Sequence, residues 1–272
     1  MRAVDPGFAR DLYRGTARDY DEGRPGYPDE LIDDLLRRSG ADGAGRLVDL
    51  ACGTGQVSFA MRDRFADVWA VDQEPDMVAM VREKARAAGA DNVRAVAGAA
   101  EELSVPDRSV HLVAVGNAFH RLSRRIVAER VYRWLRPGGF LALLWCDSPW
   151  RGSQPWQRAM AGVVERWMVP VRDRIPAGYE RQRQALPDPE LLRDVGFEIV
   201  GRYRFSAVQE WTPEALIRNV FSTSVLSRDA LGAAAADLEA ELQVVLAGPA
   251  RLAQDVDAAY DLARTGQATR TA

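Results

Sequence analysis

The stretch Arg46 to Gln56, RLVDLACGTGQ, constrains this chain more than any other. Leu47, Val48 and Leu50 make a short apolar run suited to a strand buried on both faces. Gly53 and Gly55 follow, and a helical pattern resumes through Val57, Phe59, Ala60 and Met61. The order is strand, glycine turn, helix. Glycine lacks a Cβ and tolerates positive φ, so a ligand can reach bare backbone there. The opening turn of the next helix offers unpaired N–H groups to a polar or anionic ligand group. A turn that merely connects strand to helix is the plainer alternative. Asp72 favours a ligand. It ends the next apolar run, Val68-Trp69-Ala70-Val71, 17 residues beyond Gly55, where a doubly wound unit delivers a carboxylate to a ribose diol. A dinucleotide fingerprint would place a third glycine three positions after Gly55, and that position is Ser58. The pattern therefore points away from a pyrophosphate and leaves a nucleoside site open.

The surrounding chain alternates strand and helix. Leu31, Ile32, Leu35 and Leu36 predict an amphipathic helix from Asp29, placed as its cap, to Arg38. Pro75 opens a helix carrying Met77, Val78 and Val81 and ending near Gly89. Strands are predicted at 93–97, 110–115 and 140–146, with a helix from Ser123 to Leu135 before Pro137-Gly138-Gly139. Such alternation implies a parallel sheet with helices on both faces. Ligands then lie at the carboxyl ends of the strands. The Gly53 turn, Asp72, Ala99-Ala100-Glu101 and Asn117 to His120 all follow strand ends and should share one crevice. Beyond residue 146, a helix is expected at 188–195 and two short strands at 197–200 and 203–208. Thr212-Pro213 reads as a helix start, and 230–245 as an alanine-rich helix.

Composition narrows the classes. The 272 residues are 47% hydrophobic, enough for a real core, and the net charge of −3 draws the chain neither to nucleic acid nor to a membrane surface. No run of about 18 apolar residues occurs. MRAVDPGFARD has no apolar signal core, and the two cysteines, Cys52 and Cys146, sit in strand contexts without a metal or disulfide pattern. A cytoplasmic protein with no metal is the expectation, with an oligomer left open.

These motifs resemble the class I S-adenosylmethionine-dependent methyltransferases of the type 11 small-molecule branch. VDLACGTGQ matches that family's glycine motif, Asp72 its ribose-binding acid and LRPGGFLAL its fifth-strand entry; together the match spans roughly residues 20–146. The resemblance implies a Rossmann-like, seven-stranded α/β fold, mostly parallel, with an antiparallel edge and an inserted helical cap. It implies lid helices over 1–28, a cofactor core over 29–146, a cap over 147–187, completion of the sheet and C-terminal helices over 188–264, and a disordered tail over 265–272. The implied cofactor is S-adenosylmethionine. Asp49, Gly53 and Gly55 would hold its methionine part, Asp72 the ribose hydroxyls, Gln73 and Met77 the adenine faces and Ala100 the adenine edge. Tyr20, Arg24, Ala51, Thr54, Gln56, Ala99, Glu101 and Asn117 complete the implied cofactor set. Arg24 and Tyr27, in a stretch similar to the family's RPxYP, would close the site. Tyr13, Tyr27, Phe119 and Trp150 are the candidate substrate contacts.

A sulfonium methyl is already activated, so such an enzyme needs alignment and water exclusion rather than a covalent intermediate. A protonated amine acceptor would need a base, and His120 is the candidate, a structural histidine being the alternative. Nucleic-acid amino-methyltransferases carry an Asn/Asp-Pro-Pro-aromatic element where this chain has Asn117-Ala118-Phe119-His120. That NAFH is similar to relatives that methylate carboxylates, and the arginine-rich stretch after residue 147 suits an acid. The whole chain also resembles natural-product N-methyltransferases, including those of aminoglycoside pathways. An amino group on a sugar-containing small molecule is the reading favoured, with methylation of a carboxylate or hydroxyl oxygen as one alternative and a non-catalytic cofactor-binding protein as another. Arginines around the acceptor would indicate acids, carboxylates would indicate amines.

Overall fold

The computed structural model describes residues 8, 11–171, 175–177, 179–248 and 251–266. The predicted alternation forms one seven-stranded sheet in the order β3-β2-β1-β4-β5-β7-β6. Its strands are β1 (Arg46–Leu50), β2 (Asp67–Asp72), β3 (Val93–Ala97), β4 (Val110–Gly116), β5 (Leu135–Cys146), β6 (Glu198–Glu210) and β7 (Ala253–Arg264). The first five run parallel, β7 runs antiparallel to β5, and β6 antiparallel to β7. Between Arg46 and Ala97 lie α3 (Gln56–Met61) and α4 (Pro75–Ala87); α1 (Ala17–Gly23) and α2 (Asp29–Ser39) precede them.

Continuous apolar strands dictate a sheet covered on both faces. Leu47 and Leu112 face a core completed by Leu31, Leu35 and Met61; Val48, Leu50 and Val113 face another built with Val127, Val131 and Trp134 of α5 (Arg124–Trp134). In α2 the capping position belongs to Pro28, and Asp29 stands in the first turn, where a carboxylate still opposes the helix dipole. Asp34 of α2 is buried because it accepts hydrogen bonds from the Tyr260 hydroxyl at 2.6 Å and from Arg38 Nε at 2.7 Å.

Four expectations need correction. The two short strands at 197–200 and 203–208 are one strand, β6, with a register shift between Ile199 and Gly201. The seventh strand is instead β7, which no pattern had suggested. Of the lid helices implied over 1–28, α1 starts at Ala17 while Asp11 to Gly15 form turns; residues 1–7 and 9–10 lie outside the described residues. Thr265, expected in a disordered tail, is buried and its hydroxyl donates to Arg136 O at 2.8 Å; residues 267–272 lie outside the described residues.

A third apolar cluster forms above the sheet. Trp156, Met160, Val163 and Val164 of α6 (Pro155–Met168) pack against Leu216, Val220 and Phe221 of α9 (Pro213–Phe221) and Leu238 and Leu242 of α11 (Ala235–Leu246). Between α6 and α9 lie α7 (Tyr179–Ala185) and α8 (Asp188–Val195), and between α9 and α11 lies α10 (Arg228–Leu231). The cap therefore draws on the segment between β6 and β7 as well as on the segment after β5. The Thr212 hydroxyl caps α9 by accepting from Ala215 N–H at 3.1 Å.

Candidate active site

The turn after β1 is held from both sides. Ala51 takes φ +52° and Gly53 φ +56°, and Cys52 N–H donates to Val71 O at 3.0 Å, tying the turn to β2. Asp72, at the end of β2, accepts Gly53 N–H at 2.8 Å on one oxygen and Glu74 N–H at 2.9 Å on the other. It therefore shapes the turn as well as facing the cavity, and burial raises its pKa. A Cβ at Gly53 would stand 3.0 Å from the Tyr20 ring, so glycine is needed there for space as well as for φ. Asn117 after β4 also takes a left-handed φ, +49°. A strained non-glycine residue at each of two strand ends is typical of a ligand site.

Asp49 lies beneath the turn. Its Oδ2 accepts both the backbone N–H and the hydroxyl of Ser58, at 3.0 and 2.7 Å, while its Oδ1 is buried without a hydrogen-bond partner. Ser58, which stands where a dinucleotide site has glycine, is thus the anchor of a buried carboxylate. Burial pushes Asp49 up to about 7, against the pull of the two Ser58 bonds. Asp49 lines a cleft of about 40 Å³ with Tyr20, Arg24, Tyr27, Ala51 and Gln56. Burial likewise raises the Tyr20 hydroxyl to about 12 and the Tyr27 hydroxyl well above its usual value, so both stay protonated.

Beside this cleft is a cavity of about 390 Å³, within the about 300–1,000 Å³ of small-molecule sites. Tyr13, Tyr20, Ala51, Gly53, Asp72, Gln73, Met77, Ala99, Ala100, Glu101 and Asn117 line it. Thr54 and Gly55 line neither space. Thr54 is fully buried, its carbonyl accepting from Lys84 at 2.9 Å and its hydroxyl from Gln56 at 3.1 Å, and Gly55 turns toward the Phe59 ring. Their work is to build the turn. Sequence reasoning missed Glu74, Gly98, Arg121 and Ser123 on this wall. Glu74 accepts the Tyr13 N–H at 3.3 Å, which holds the N-terminal arm over the cavity.

A second cavity, of about 660 Å³, adjoins the first; Phe8, Tyr13, Asn117 and Arg121 line both. His120, Trp150 and Arg24 line the second. Asn117 Oδ1 accepts Cys146 N–H at 3.1 Å, so this side chain clasps the ends of β4 and β5. Phe119, expected to touch substrate, is instead in the core under α5, because the short helical turn at Phe119–Arg121 directs it inward. His120 does not suit the role of base. Burial, then the positive charges of Arg121, Arg183 and Arg124, lower its pKa to about 3, so it is neutral and a poor proton acceptor at neutral pH. Arg24, Arg121, Arg151, Arg183, Arg202 and Arg204 line this cavity, against Asp147 and Asp257. Asp173, another carboxylate of the stretch after residue 147, lies outside the described residues.

A seven-stranded sheet with this order, a glycine turn after β1 and an acid ending β2 define the class I methyltransferase fold. A methyltransferase-domain family model matches residues 47–139. An uncharacterized methyltransferase of Mycobacterium tuberculosis is 36% identical over 205 residues, covering 75% of this chain and 73% of that protein. Among solved structures, a putative methyltransferase from Bacillus halodurans superposes with a TM-score of 0.56 at 18% identity, covering 88% of this chain and all (100%) of that one. The cyclase SpnF gives the same TM-score, 0.56, at 22% identity over 98% and 88% of the two chains. The protein belongs to the class I S-adenosylmethionine-dependent methyltransferases, and its cofactor is S-adenosylmethionine.

The cavity and the cleft beside it together fit that cofactor. A bare-backbone cradle stands at Gly53, a carboxylate faces the space at Asp72, and the orphan Oδ1 of Asp49 offers a buried acceptor suited to an ammonium group.

Proposed function

We propose that this methyltransferase modifies a small organic acid, transferring the methyl group to a carboxylate oxygen. The observation that carries this reading is the lining of the second cavity, with six arginines against two aspartates. Arg202 is paired with Asp261 at 2.6 Å and Arg204 with Asp257 at 2.9 Å. Arg24, Arg121, Arg151 and Arg183 make no ion pair among the described residues. Arg121 stacks on Phe8 and Tyr13, with ring distances of 5.2 and 5.4 Å, and Arg183 on Trp145 at 5.2 Å. Stacking holds a guanidinium in place while leaving its N–H edge available to a carboxylate.

Asp72 would hold the nucleoside, and Gly53 with Asp49 the amino-acid end; bound there, the cofactor supplies a methyl group on a sulfonium. The chain's own work is then positional. Arg121 stands where both cavities meet, and Arg183 holds the acid from the other side. Tyr13, Phe8 and the arm pinned by Glu74 exclude water. An ionised carboxylate carries no proton to remove, so the low basicity of His120 is no handicap; its neutral ring serves as a hydrogen-bonding wall. Orientation of this kind supplies on the order of 7–11 kcal/mol.

The alternative reading, methylation of an amino group on a sugar-containing natural product, draws on overall resemblance. It would ask this same cationic cavity to hold an amine and His120 to accept its proton. Incubation of the enzyme with labelled methyl donor and matched panels of acids and amines tests the choice. Label that hydroxylamine releases marks an ester and supports the acid reading; stable label on amines alone overturns it.

A further inference from the structure

The second cavity has two chemically distinct walls. One is cationic: Arg202 and Arg204 come from β6 and Arg183 from α7 (Tyr179–Ala185), beside Arg121 of the short helical turn after β4. The other comes from the cap. Val164 and Met168 of α6, Ile175, and Val225 and Leu226 after α9 line the same space with no polar atom in their side chains. Val164 and Leu226 are part of the cap's own apolar core, which fixes that wall in place. A small polyanion would satisfy only the cationic wall and gain nothing from the other.

We propose that the acceptor is an amphipathic acid, a monocarboxylate whose apolar body lies against Val164, Met168, Ile175, Val225 and Leu226. The inference rests on the acid reading given above and goes beyond it, since it fixes what the rest of the molecule must be. Charge complementarity places the carboxylate among the arginines near Asn117, where the two cavities meet. The body then extends toward the cap, and each methylene it buries there strengthens binding by about fourfold.

The test is a series of straight-chain monocarboxylates from four to twelve carbons, set beside di- and tricarboxylates of similar size. Each is assayed for ester formation, and also for its effect on the melting temperature without methyl donor. Methyl acceptance and thermal stabilisation should both rise with chain length, by at least tenfold in kcat/KM across the series. Met168→Gln should flatten that rise, lowering kcat/KM for the twelve-carbon acid several-fold more than for the four-carbon acid. Preference for polycarboxylates, or a flat response to chain length, overturns the amphipathic acceptor and leaves acid methylation standing. Esterification of no acid, with amines labelled instead, brings down the acid reading itself.

Discussion

The two adjoining cavities carry opposite charge. Asp72, Glu74 and Glu101 line the one that fits the cofactor, while guanidinium groups dominate the other. A cationic sulfonium and an anionic acceptor would each meet its complement, and the charges would cancel where Asn117 and Arg121 separate the cavities. The acidic half is held from within by backbone N–H groups, at Asp72 and at Asp49. The basic half is held by ring stacking and by pairing with strand carboxylates. The first arrangement builds a rigid cradle. The second leaves Arg121, Arg151 and Arg183 without an ion pair among the described residues.

The largest expected effect tests whether the acidic half is a cradle or only a charge. Asp72→Ala removes the acceptor of two N–H groups, Gly53 and Glu74, besides any ribose contact. Each unmet donor costs about 1–3 kcal/mol. The folded state should lose about 2–6 kcal/mol of stability in a denaturant melt, cofactor binding measured by calorimetry should weaken by about 1–3 kcal/mol for the lost ribose contact, and Asp72→Asn, which keeps one acceptor, should recover part of both. Equal loss in both variants would show that charge alone matters.

Asp49 sharpens the same half through pH. Its folded pKa, about 7, lies above the ordinary carboxylate value, so the folded chain holds a proton that the unfolded chain has released. Stability is therefore lost as pH rises from about 4 through about 7. Asp49→Asn should stabilise the cofactor-free protein by about 2–4 kcal/mol at pH 8 and by almost nothing at pH 4, while weakening cofactor binding. Denaturant melts at the two pH values would show it; a gain independent of pH would mean that Asp49 is not a buried titrating group.

How much of each half was legible in sequence follows from how local its determinants are. Gly53, Gly55 and Asp72 lie within 20 positions of one another, in a turn that only a few residue types can build. The first five strands announced themselves as apolar runs. β7 did not: Gln254, Asp255, Asp257, Ala258, Ala259 and Asp261 have weak strand preference. That strand forms because it is paired along both edges and because Asp261 receives Arg202 and Trp145 Nε1. Gly201 disguised β6 as two strands, since a glycine beside a register shift reads as a break. The arginines of the basic half come from segments as far apart as Arg24 and Arg204, so no local pattern could collect them. Ser58 carried a signal that was read only as a missing glycine, when a serine nine positions after a strand aspartate also marks its hydrogen-bond partner.

The basic half is challenged by reversing one charge. Arg183→Glu puts a carboxylate beside Trp145 where an acid acceptor would sit. Loss of a charged hydrogen bond costs about 1.5–3 kcal/mol, so kcat/KM for acids should fall by roughly tenfold to a hundredfold with cofactor affinity unchanged. An increase in amine turnover in that variant would instead support an amine acceptor.

The smallest effect is expected at His120, and it separates the two halves most cleanly. With its pKa near 3, the ring stays neutral across the working range. The sign is that of a base held neutral by the fold: stability is present above about 6.5 and is lost as pH falls through about 3. His120→Gln keeps a neutral hydrogen-bonding side chain, so turnover of an acid should change by less than about tenfold, far short of the 10²–10⁴ of a lost general base. The pH–rate profile of the wild-type enzyme should likewise show no limb near 6.5 from this residue. A hundredfold loss in His120→Gln, with a limb at neutral pH that disappears in the variant, would restore the histidine as a base, and with it an acceptor that has a proton to give up.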